Sequence, residues 1–329
     1  RPIMDEIALV EFLERRAQAS GVVNVLPTAT ITKGMAGEEM TEIGLLAEAG
    51  AVLFTDCYRS IANPQVLRRA LSYASTFDAL IAHHTEVPEL VGDGVMNDGE
   101  TASRLGLGGI PGAAETIMLE RDLRIVELTG GRYHAASIST ADSVAAMRQA
   151  KDKGLRVTCG VAPYHFALNE NEVGHYRTFA KVSPPLRSET DREAIVAGLA
   201  DGTIDIIASH HRPEDPEAKR LPFAQAAYGA VGLETLFLIG LELHHKGQLT
   251  LLDLLARLSL RPADILGLPQ GRLARGAPAD LVIFNPDTPA RIDAATFQSK
   301  SKNSPFDQRP VQGQVLRTVV TGATVFEAS

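Results

Sequence analysis

The sequence predicts an α/β fold built from parallel strand–helix units. Between residues 5 and 161, apolar stripes at helical spacing alternate with short apolar runs that are typical of buried strands. Hydrophobic residues make up 45% of the 329 residues, which is enough for a large core in one domain or two. No GxGxxG motif follows the first predicted strand. The pattern therefore favours a barrel over an open, doubly wound sheet.

Each predicted element follows from its local pattern. The first helix, residues 5–19, carries an apolar stripe that includes Ile7, Val10 and Leu13, and the second helix, 40–49, ends at Gly50. The other predicted helices are 64–75, 113–129 and 143–153, the predicted strands are 22–27, 51–55, 79–82, 132–138, 156–161 and 204–208, and 92–109 is a predicted Gly-rich loop.

The pattern changes at about residue 271. A turn-rich stretch precedes a predicted strand that ends at Phe284, and residues 315–321 and 324–326 predict a hairpin around Gly322 and Ala323. We therefore expect two domains, with residues 1–270 forming the barrel and residues 271–329 forming a small β domain.

Charge and composition exclude several classes of protein. Forty acidic and 32 basic residues give a formal net charge of −8, which argues against a nucleic-acid or anionic-membrane partner. No apolar run reaches the length of a membrane span, no secretory signal opens the chain, and we expect a cytoplasmic protein. Cys57 and Cys159 lie far apart without CxxC spacing, so we expect two buried small hydrophobes. Because the chain opens on Arg1 rather than Met, we expect that an N-terminal portion is missing.

Ionisable side chains collect after the strand at 204–208. The segment that follows is Ser209-His210-His211-Arg212-Pro213-Glu214. In a parallel barrel, catalytic groups gather at the carboxyl ends of the strands, and imidazoles are the side chains that zinc prefers. The histidines expected near such strand ends are His83, His84, His165, His210 and His211, whereas His134, His175, His244 and His245 are expected to be structural or solvent-facing.

Many short motifs, in one order along nearly the whole chain, carry a resemblance to a known family. They are NDGE (97–100), RLGL (104–107), GIP (109–111), GRYH (131–134), PYH (163–165), KVSPPLR (181–187), KRLPF (219–223) and GAVGLET (229–235). With them, the chain resembles the dihydroorotase family of the amidohydrolase superfamily. The resemblance implies a (β/α)8 TIM-type barrel without its first strand or strands and a small C-terminal β-sandwich. It also implies zinc-dependent interconversion of N-carbamoyl-L-aspartate and dihydroorotate in de novo pyrimidine biosynthesis.

The same resemblance implies a set of metal ligands, most of which this chain replaces. The family has an HxH pair, a bridging carboxylate or carboxylated lysine, two later histidines and a final aspartate that is also the base. No HxH occurs in this sequence and strand 51–55 has no lysine. Val87 stands at the bridging aspartate, Ser137 at the first later histidine and His210 at the aspartate, while His165 retains the second histidine. Glu214 stands where active members use a histidine to hold the substrate carboxylate.

Three functions remain open on these grounds. The resemblance implies, first, a non-catalytic dihydroorotase-like subunit that partners aspartate carbamoyltransferase, forms a homo-oligomer and has no metal. The second function is an active zinc-dependent dihydroorotase, with His210 as its candidate catalytic residue and with His83, His84 and His211 joining His165 in a rearranged site. The third is an amidohydrolase that acts on another cyclic amide, such as a hydantoin, and it also needs metal ligands.

Overall fold

The computed structural model describes residues 2–328, which fall into two compact units. Of the described residues, the first unit comprises 2–89, 113–138 and 145–159, and the second comprises 90–112, 139–144 and 160–328. Within residues 2–328, no helix is long and apolar enough to cross a membrane.

Thirteen α-helices and nine strands are assigned within residues 2–328, together with short 3-10 turns and one π-helical turn. The helices are α1 (Ile7–Ser20), α2 (Ile43–Glu48), α3 (Pro64–Ala74), α4 (Pro88–Val91), α5 (Glu100–Leu105), α6 (Ala113–Thr129), α7 (Ala141–Asp152), α8 (Pro163–Ala167), α9 (Glu189–Asp201), α10 (Pro216–Arg220), α11 (Leu236–His245), α12 (Leu251–Leu255) and α13 (Arg261–Leu266). The strands are β1 (Leu80–His83), β2 (Met96–Asn97), β3 (Gly109–Ile110), β4 (Arg132–Ala135), β5 (Val157–Val161), β6 (Ile206–Ile207), β7 (Leu281–Arg291), β8 (Pro310–Val320) and β9 (Ala323–Glu327).

Parallel pairing organises the first unit, as predicted. Strand β1 pairs with β4, and β4 pairs with the first half of β5. On the other side of β1, Phe54 forms single parallel bridges to Ala29 and Ile81. The predicted strand at 51–55 is therefore reduced to one bridging residue, which nevertheless donates its N–H to Leu80 O and accepts from Ala82 N–H.

The prediction of a strand at residues 22–27 is wrong. These residues have no strand assignment, and the apolar side chains of Val22, Val23, Val25 and Leu26 are 43–70% exposed. The run is rich in β-branched residues, but strand propensity is expressed only where a neighbouring ladder supplies hydrogen-bond partners. At the end of this run, Pro27 O accepts the N–H of Val52 at 3.1 Å, and the first strand-type bridge along the described chain is at Ala29.

Helices α3 and α6 cover this sheet through apolar faces that the sequence shows clearly. The side chain of Asn63 caps α3 by accepting the N–H of Gln65, and Pro64 occupies the first turn, where it costs no hydrogen bond. Helix α6 buries Ala114, Met118 and Leu119 on one face and packs against α3. Its observed bounds match the predicted helix.

The second unit contains the end of β5 and the C-terminal sheet. Gly160 and Val161 pair in parallel with Ile206 and Ile207 of β6, which is shorter than the predicted strand at 204–208. The predicted loop at 92–109 contains α5 and the small parallel pair β2–β3. Strands β7, β8 and β9 form an antiparallel sheet, and Gly322 lies in the predicted hairpin turn with a φ of 80°. The domain boundary after residue 270 stays a prediction.

Candidate functional site

His83 ends β1 inside a buried polar network. Its Nδ1 lies 2.6 Å from Asp122 Oδ2, and its Nε2 accepts the backbone N–H of Ile61 at 2.8 Å. Because Nε2 accepts, the ring proton must sit on Nδ1, which donates to Asp122. Asp122 also accepts from Tyr133 Oη at 2.8 Å and from Arg121. Both ring nitrogens of His83 are therefore occupied, and this predicted compensating ligand is part of the scaffold.

The neighbouring positions of the first unit hold few groups that could bind a metal. His84 is buried, with Nε2 3.1 Å from Glu86 Oε2. Val87 anchors its backbone by donating its N–H to Ala114 O at 2.8 Å, and its isopropyl group has no donor atom. Ser137 is fully buried, and its hydroxyl has no hydrogen-bond partner among the described residues.

His165 in the second unit keeps one available nitrogen. It lies in α8, directly after β5, and is 3% exposed. Nε2–H donates to Pro184 O at 3.0 Å, so Nδ1 carries the lone pair, and Nδ1 has no hydrogen-bond partner among residues 2–328. Burial lowers the pKa of His165 to about 3, with the nearby His210 and Arg187 acting in the same direction. A buried, neutral imidazole with a free lone pair is the form in which histidine binds a metal.

His210 and His211 lie near the end of β6, as the sequence predicts, but the ring of His211 has a structural contact there. His210 has a left-handed φ of 44°, and its ring centroid is 6.4 Å from that of Tyr164, which in turn is 4.7 Å from that of His165. His211 is committed to its own loop, because its Nδ1 accepts the N–H of Gly232 at 3.1 Å. Burial lowers the pKa of His211.

Glu214 pairs with the arginine two residues before it. Arg212 Nε donates to Glu214 Oε1 at 2.9 Å, and both side chains are partly exposed. The backbone N–H of Glu214 also donates to Asn303 Oδ1 at 3.3 Å. The carboxylate therefore neutralises the cation nearest to it in this loop.

Two family models match the chain. A model described as dihydro-orotase-like matches residues 2–143, and one described as amidohydrolase family matches residues 120–326. A dihydroorotase from Wolbachia sp. subsp. Drosophila simulans (strain wRi) is 44% identical over 326 residues, which cover 99% of this chain and 74% of that protein. A dihydroorotase from Desulforapulum autotrophicum is also 44% identical over 326 residues, covering 99% and 76%.

The chain belongs to the dihydroorotase family. Solved structures agree on the fold. The L-hydantoinase from Arthrobacter aurescens matches with a TM-score of 0.87 at 26% identity, over 99% of this chain and 75% of its own. A D-hydantoinase matches with a TM-score of 0.82 at 22% identity, over 97% and 73%. The predicted fold class, a TIM-type amidohydrolase barrel with a small C-terminal sheet, is confirmed.

Members of the amidohydrolase family typically use metal ions, so the fit of this chain to zinc can be tested on its own residues. His165 fits, because its Nδ1 is buried and has no hydrogen-bond partner in the part of the chain that the structure describes. Val87 and Ser137 do not fit, because a hydrocarbon and a neutral hydroxyl replace the carboxylate and imidazole that zinc prefers. Within residues 2–328, no group of three or more His, Cys, Asp or Glu side chains is arranged to hold a metal ion. The residues at these positions therefore do not make up a zinc-binding set.

Two basic residues are enclosed by acceptors that lie far from them in the sequence. Arg187 is 4% exposed, and its guanidinium donates to Asn97 Oδ1, Ile110 O and Ser139 Oγ. Lys219 is 3% exposed and donates to three carbonyl oxygens, and its burial lowers its pKa to about 8. The sequence shows that both residues are basic but not that neutral acceptors enclose them. Cys159 is buried as predicted, but Cys57 is exposed, which corrects the prediction for that residue.

Proposed function

We propose that this member of the dihydroorotase family of pyrimidine biosynthesis is a non-catalytic subunit that associates with aspartate carbamoyltransferase. The observation that carries the proposal is a selective replacement. Val87 and Ser137 lack the ligand atoms that the family uses at their positions, whereas the motifs that build the scaffold are kept. Catalysis resides in a site and not in a fold, so the fold can survive the loss of the chemistry.

The remaining histidines offer only partial compensation. His83 uses both ring nitrogens for Asp122 and Ile61, and His211 uses Nδ1 for the backbone of Gly232. Binding a metal through Nδ1 of His83 would take a donor from the buried Asp122, and binding it through Nε2 would leave the N–H of Ile61 without its acceptor; either change is costly. These contacts support a structural role for two of the three histidines that could compensate.

Glu214 also supports the proposal, because its carboxylate would weaken binding of the family's substrate. A carboxylate at this position would repel N-carbamoyl-aspartate, which carries two negative charges. Its ion pair with Arg212 also occupies a cation that could otherwise attract that substrate. Both effects reduce affinity for the family's substrate without disturbing the loop, since Asn303 holds the backbone of Glu214 in place.

The alternative is an active zinc-dependent dihydroorotase with a rearranged site. Two observations favour it. The first is that Nδ1 of His165 is buried, carries the lone pair and has no hydrogen-bond partner among the described residues. The relatives at 44% identity also carry the name dihydroorotase. In this alternative, His210 and His84 would have to complete the site.

Two assays on the full-length protein separate these functions. The first measures zinc content and the rate of dihydroorotate ring opening, and the second measures co-elution with aspartate carbamoyltransferase and stimulation of that enzyme. We expect substoichiometric zinc, no ring opening and co-elution, and light scattering of the isolated protein reports whether it is a homo-oligomer. Stoichiometric zinc with turnover would refute the proposal.

A matched variant sharpens the comparison. His165→Ala removes the one retained ligand, and under the proposal it leaves binding to aspartate carbamoyltransferase unchanged. Under the alternative, His165→Ala abolishes both zinc binding and ring opening. Circular dichroism would verify that the variant is folded before either result is interpreted.

A further inference from the structure

Residues 213–228 of the second unit form a loop whose two ends lie together, and we call this loop the lid. At its base, Arg212 N–H donates to Ala230 O at 2.8 Å. The side-chain amide of Asn303 donates to Arg212 O at 3.2 Å and to Gly229 O at 3.1 Å, so one residue holds both ends. A compact surface loop with closed ends is an Ω-loop. The base of the lid is therefore fixed independently of the contacts that its outer part makes.

Few apolar side chains hold the outer part of the lid. Phe223 and Ala226 are its buried apolar residues, and Tyr228 Oη donates to Gly94 O at 3.0 Å. Pro213, Pro216 and Leu221 are exposed. Segments with few buried apolar contacts open locally while the rest of a protein stays folded.

Two buried lysines, Lys181 and Lys219, connect the lid to residues 178–181, and we call this pair the latch. Lys219 lies in the lid, and its Nζ donates to three backbone oxygens, those of Thr178, Lys181 and Ala227, at 3.0, 3.3 and 2.7 Å. Lys181 reaches in the opposite direction, and its Nζ donates to two backbone oxygens of the lid, those of Phe223 and Ala224, both at 2.9 Å. Each side of the contact thus contributes one ammonium group to the other.

The acceptors of the latch satisfy its hydrogen bonds but do not neutralise its charge, because backbone oxygens carry no net charge. Burial lowers the pKa of Lys219 to about 8, and the charges of Lys181 and Arg212 act in the same direction. Glu214 acts in the opposite direction, but its carboxylate binds Arg212 at 2.9 Å. Burial also lowers the pKa of Lys181. The closed lid therefore holds two like charges out of water.

The other charged groups on the two packed segments have partners of their own. Before Thr178, Arg177 pairs with Glu172 at 3.1 Å. On α10, Glu217 pairs with Arg220 at 2.6 Å, and the side chain of Asp215 accepts the N–H of Glu217 at the start of the helix. These groups leave the charge of the latch to the backbone oxygens around it.

We propose that the lid opens by local unfolding as one unit, and that protonation of the latch favours the open form. Opening transfers both ammonium groups to water, where the pKa of a lysine is about 10.5. Between pH 8 and 10.5, the open form binds a proton at Lys219 that the closed form does not, so a rise in pH favours closure. Below pH 8 both forms are protonated at Lys219, and the lid opens most readily. The proposal does not depend on whether the protein is catalytic.

The test is amide hydrogen exchange of the full-length protein, measured by mass spectrometry between pH 7 and 9. Each exchange rate is divided by the intrinsic rate at the same pH. In peptides that cover residues 218–229, protection should rise about tenfold from pH 7 to pH 9, because Lys219 loses its proton in the closed form alone. Helix α9 is the internal control and should not show this rise. No rise in the lid, or an equal rise in α9, would overturn the proposal.

Variants of the latch assign the pH dependence to its lysines. Lys219→Met should reduce the rise in protection, and Lys219→Met combined with Lys181→Met should abolish it. Lys153→Met, at an exposed lysine outside the lid, is the matched control and should keep the full rise. A folded double variant that keeps the rise would show that another group drives opening, and the proposal would be wrong. If circular dichroism shows that a variant is unfolded, the pH series of the unmodified protein decides the question by itself.

Discussion

His165 illustrates how burial fixes the chemistry of one side chain. Its folded pKa of about 3 lies below the ordinary value of 6.5, so between these values the unfolded chain binds a proton that the folded chain does not. The free energy of unfolding should therefore fall as the pH drops from about 6.5 towards 3, by at most about 1.4 kcal/mol per pH unit from this residue. The contribution of the neutral ring is fully present above pH 6.5.

The variant His165→Gln tests this pH dependence. Glutamine does not titrate and its amide can still donate to Pro184 O, so the loss of stability between pH 6.5 and 4 should shrink by about 2 to 3 kcal/mol. Urea unfolding at several pH values measures it. His175→Gln, at an exposed histidine, is the control and should keep the dependence of the unmodified protein. Identical curves for all three proteins would show that His165 protonates freely in the fold.

Asp122 is the central acceptor of the network around His83. Asp122→Ala would leave the ring N–H of His83, the hydroxyl of Tyr133 and the guanidinium of Arg121 without their shared partner. Removing one member of a buried, hydrogen-bonded charge pair costs about 3 to 5 kcal/mol. Urea unfolding should show a loss of that size, whereas Asp152→Ala, at an exposed position at the end of α7, should change stability by less than about 0.5 kcal/mol. A small effect at Asp122 would mean that the network contributes specificity rather than stability.

At these positions the sequence reveals which atoms are present but not whether they are available. Val87 and Ser137 could be recognised as non-ligands directly from their side chains. That His83 is occupied depends on Ile61 and Asp122, which lie 22 and 39 residues away from it. Long-range contacts of this kind leave no local pattern, and for the same reason the burial of Arg187 and the exposure of Cys57 were not predicted.

Helix α6 is an element that its local sequence pattern predicts well. Its apolar face repeats at helical spacing over 17 residues, so one local signal defines both its bounds and its buried side. The run at 22–27 is also apolar and rich in β-branched residues, but a strand forms only beside a partner strand. Local composition does not show whether such a partner is present. For the same reason, the sequence did not predict β2 and β3, and it predicted β6 as longer than it is. Pairing over two residues depends on the neighbouring strand and not on the local sequence pattern.

The two faces of α6 should respond differently to truncation. Leu119 is fully buried and Ile117 is 52% exposed on the same helix. Leu119→Ala should destabilise the protein by about 2 to 5 kcal/mol, because it removes buried methyl groups and leaves a cavity. Ile117→Ala should change stability by less than about 0.5 kcal/mol, since surface substitutions rarely do more. Thermal or urea unfolding of both variants checks the assignment of faces, and equal losses would contradict it.

At the scale of the whole molecule, the two candidate functions differ in whether zinc binding stabilises the native state. A ligand that binds only the folded protein stabilises it by mass action, by about 2.7 kcal/mol when its free concentration is one hundred times the dissociation constant. An active dihydroorotase with bound zinc should therefore lose melting temperature when a strong zinc chelator is added. A non-catalytic subunit should not, because its fold does not depend on that ion.

We expect the full-length protein to show the same melting temperature with and without the zinc chelator dipicolinate, and the same with added zinc. The reason is that Val87 and Ser137 provide no ligand atoms of the family's kind, and a single retained imidazole, His165, binds zinc too weakly to shift the folding equilibrium. An active relative from the same family, treated in parallel, is the control and should melt at a lower temperature after chelation. A decrease in this protein that zinc reverses, and that His165→Ala abolishes, would instead show that His165 belongs to a working metal site.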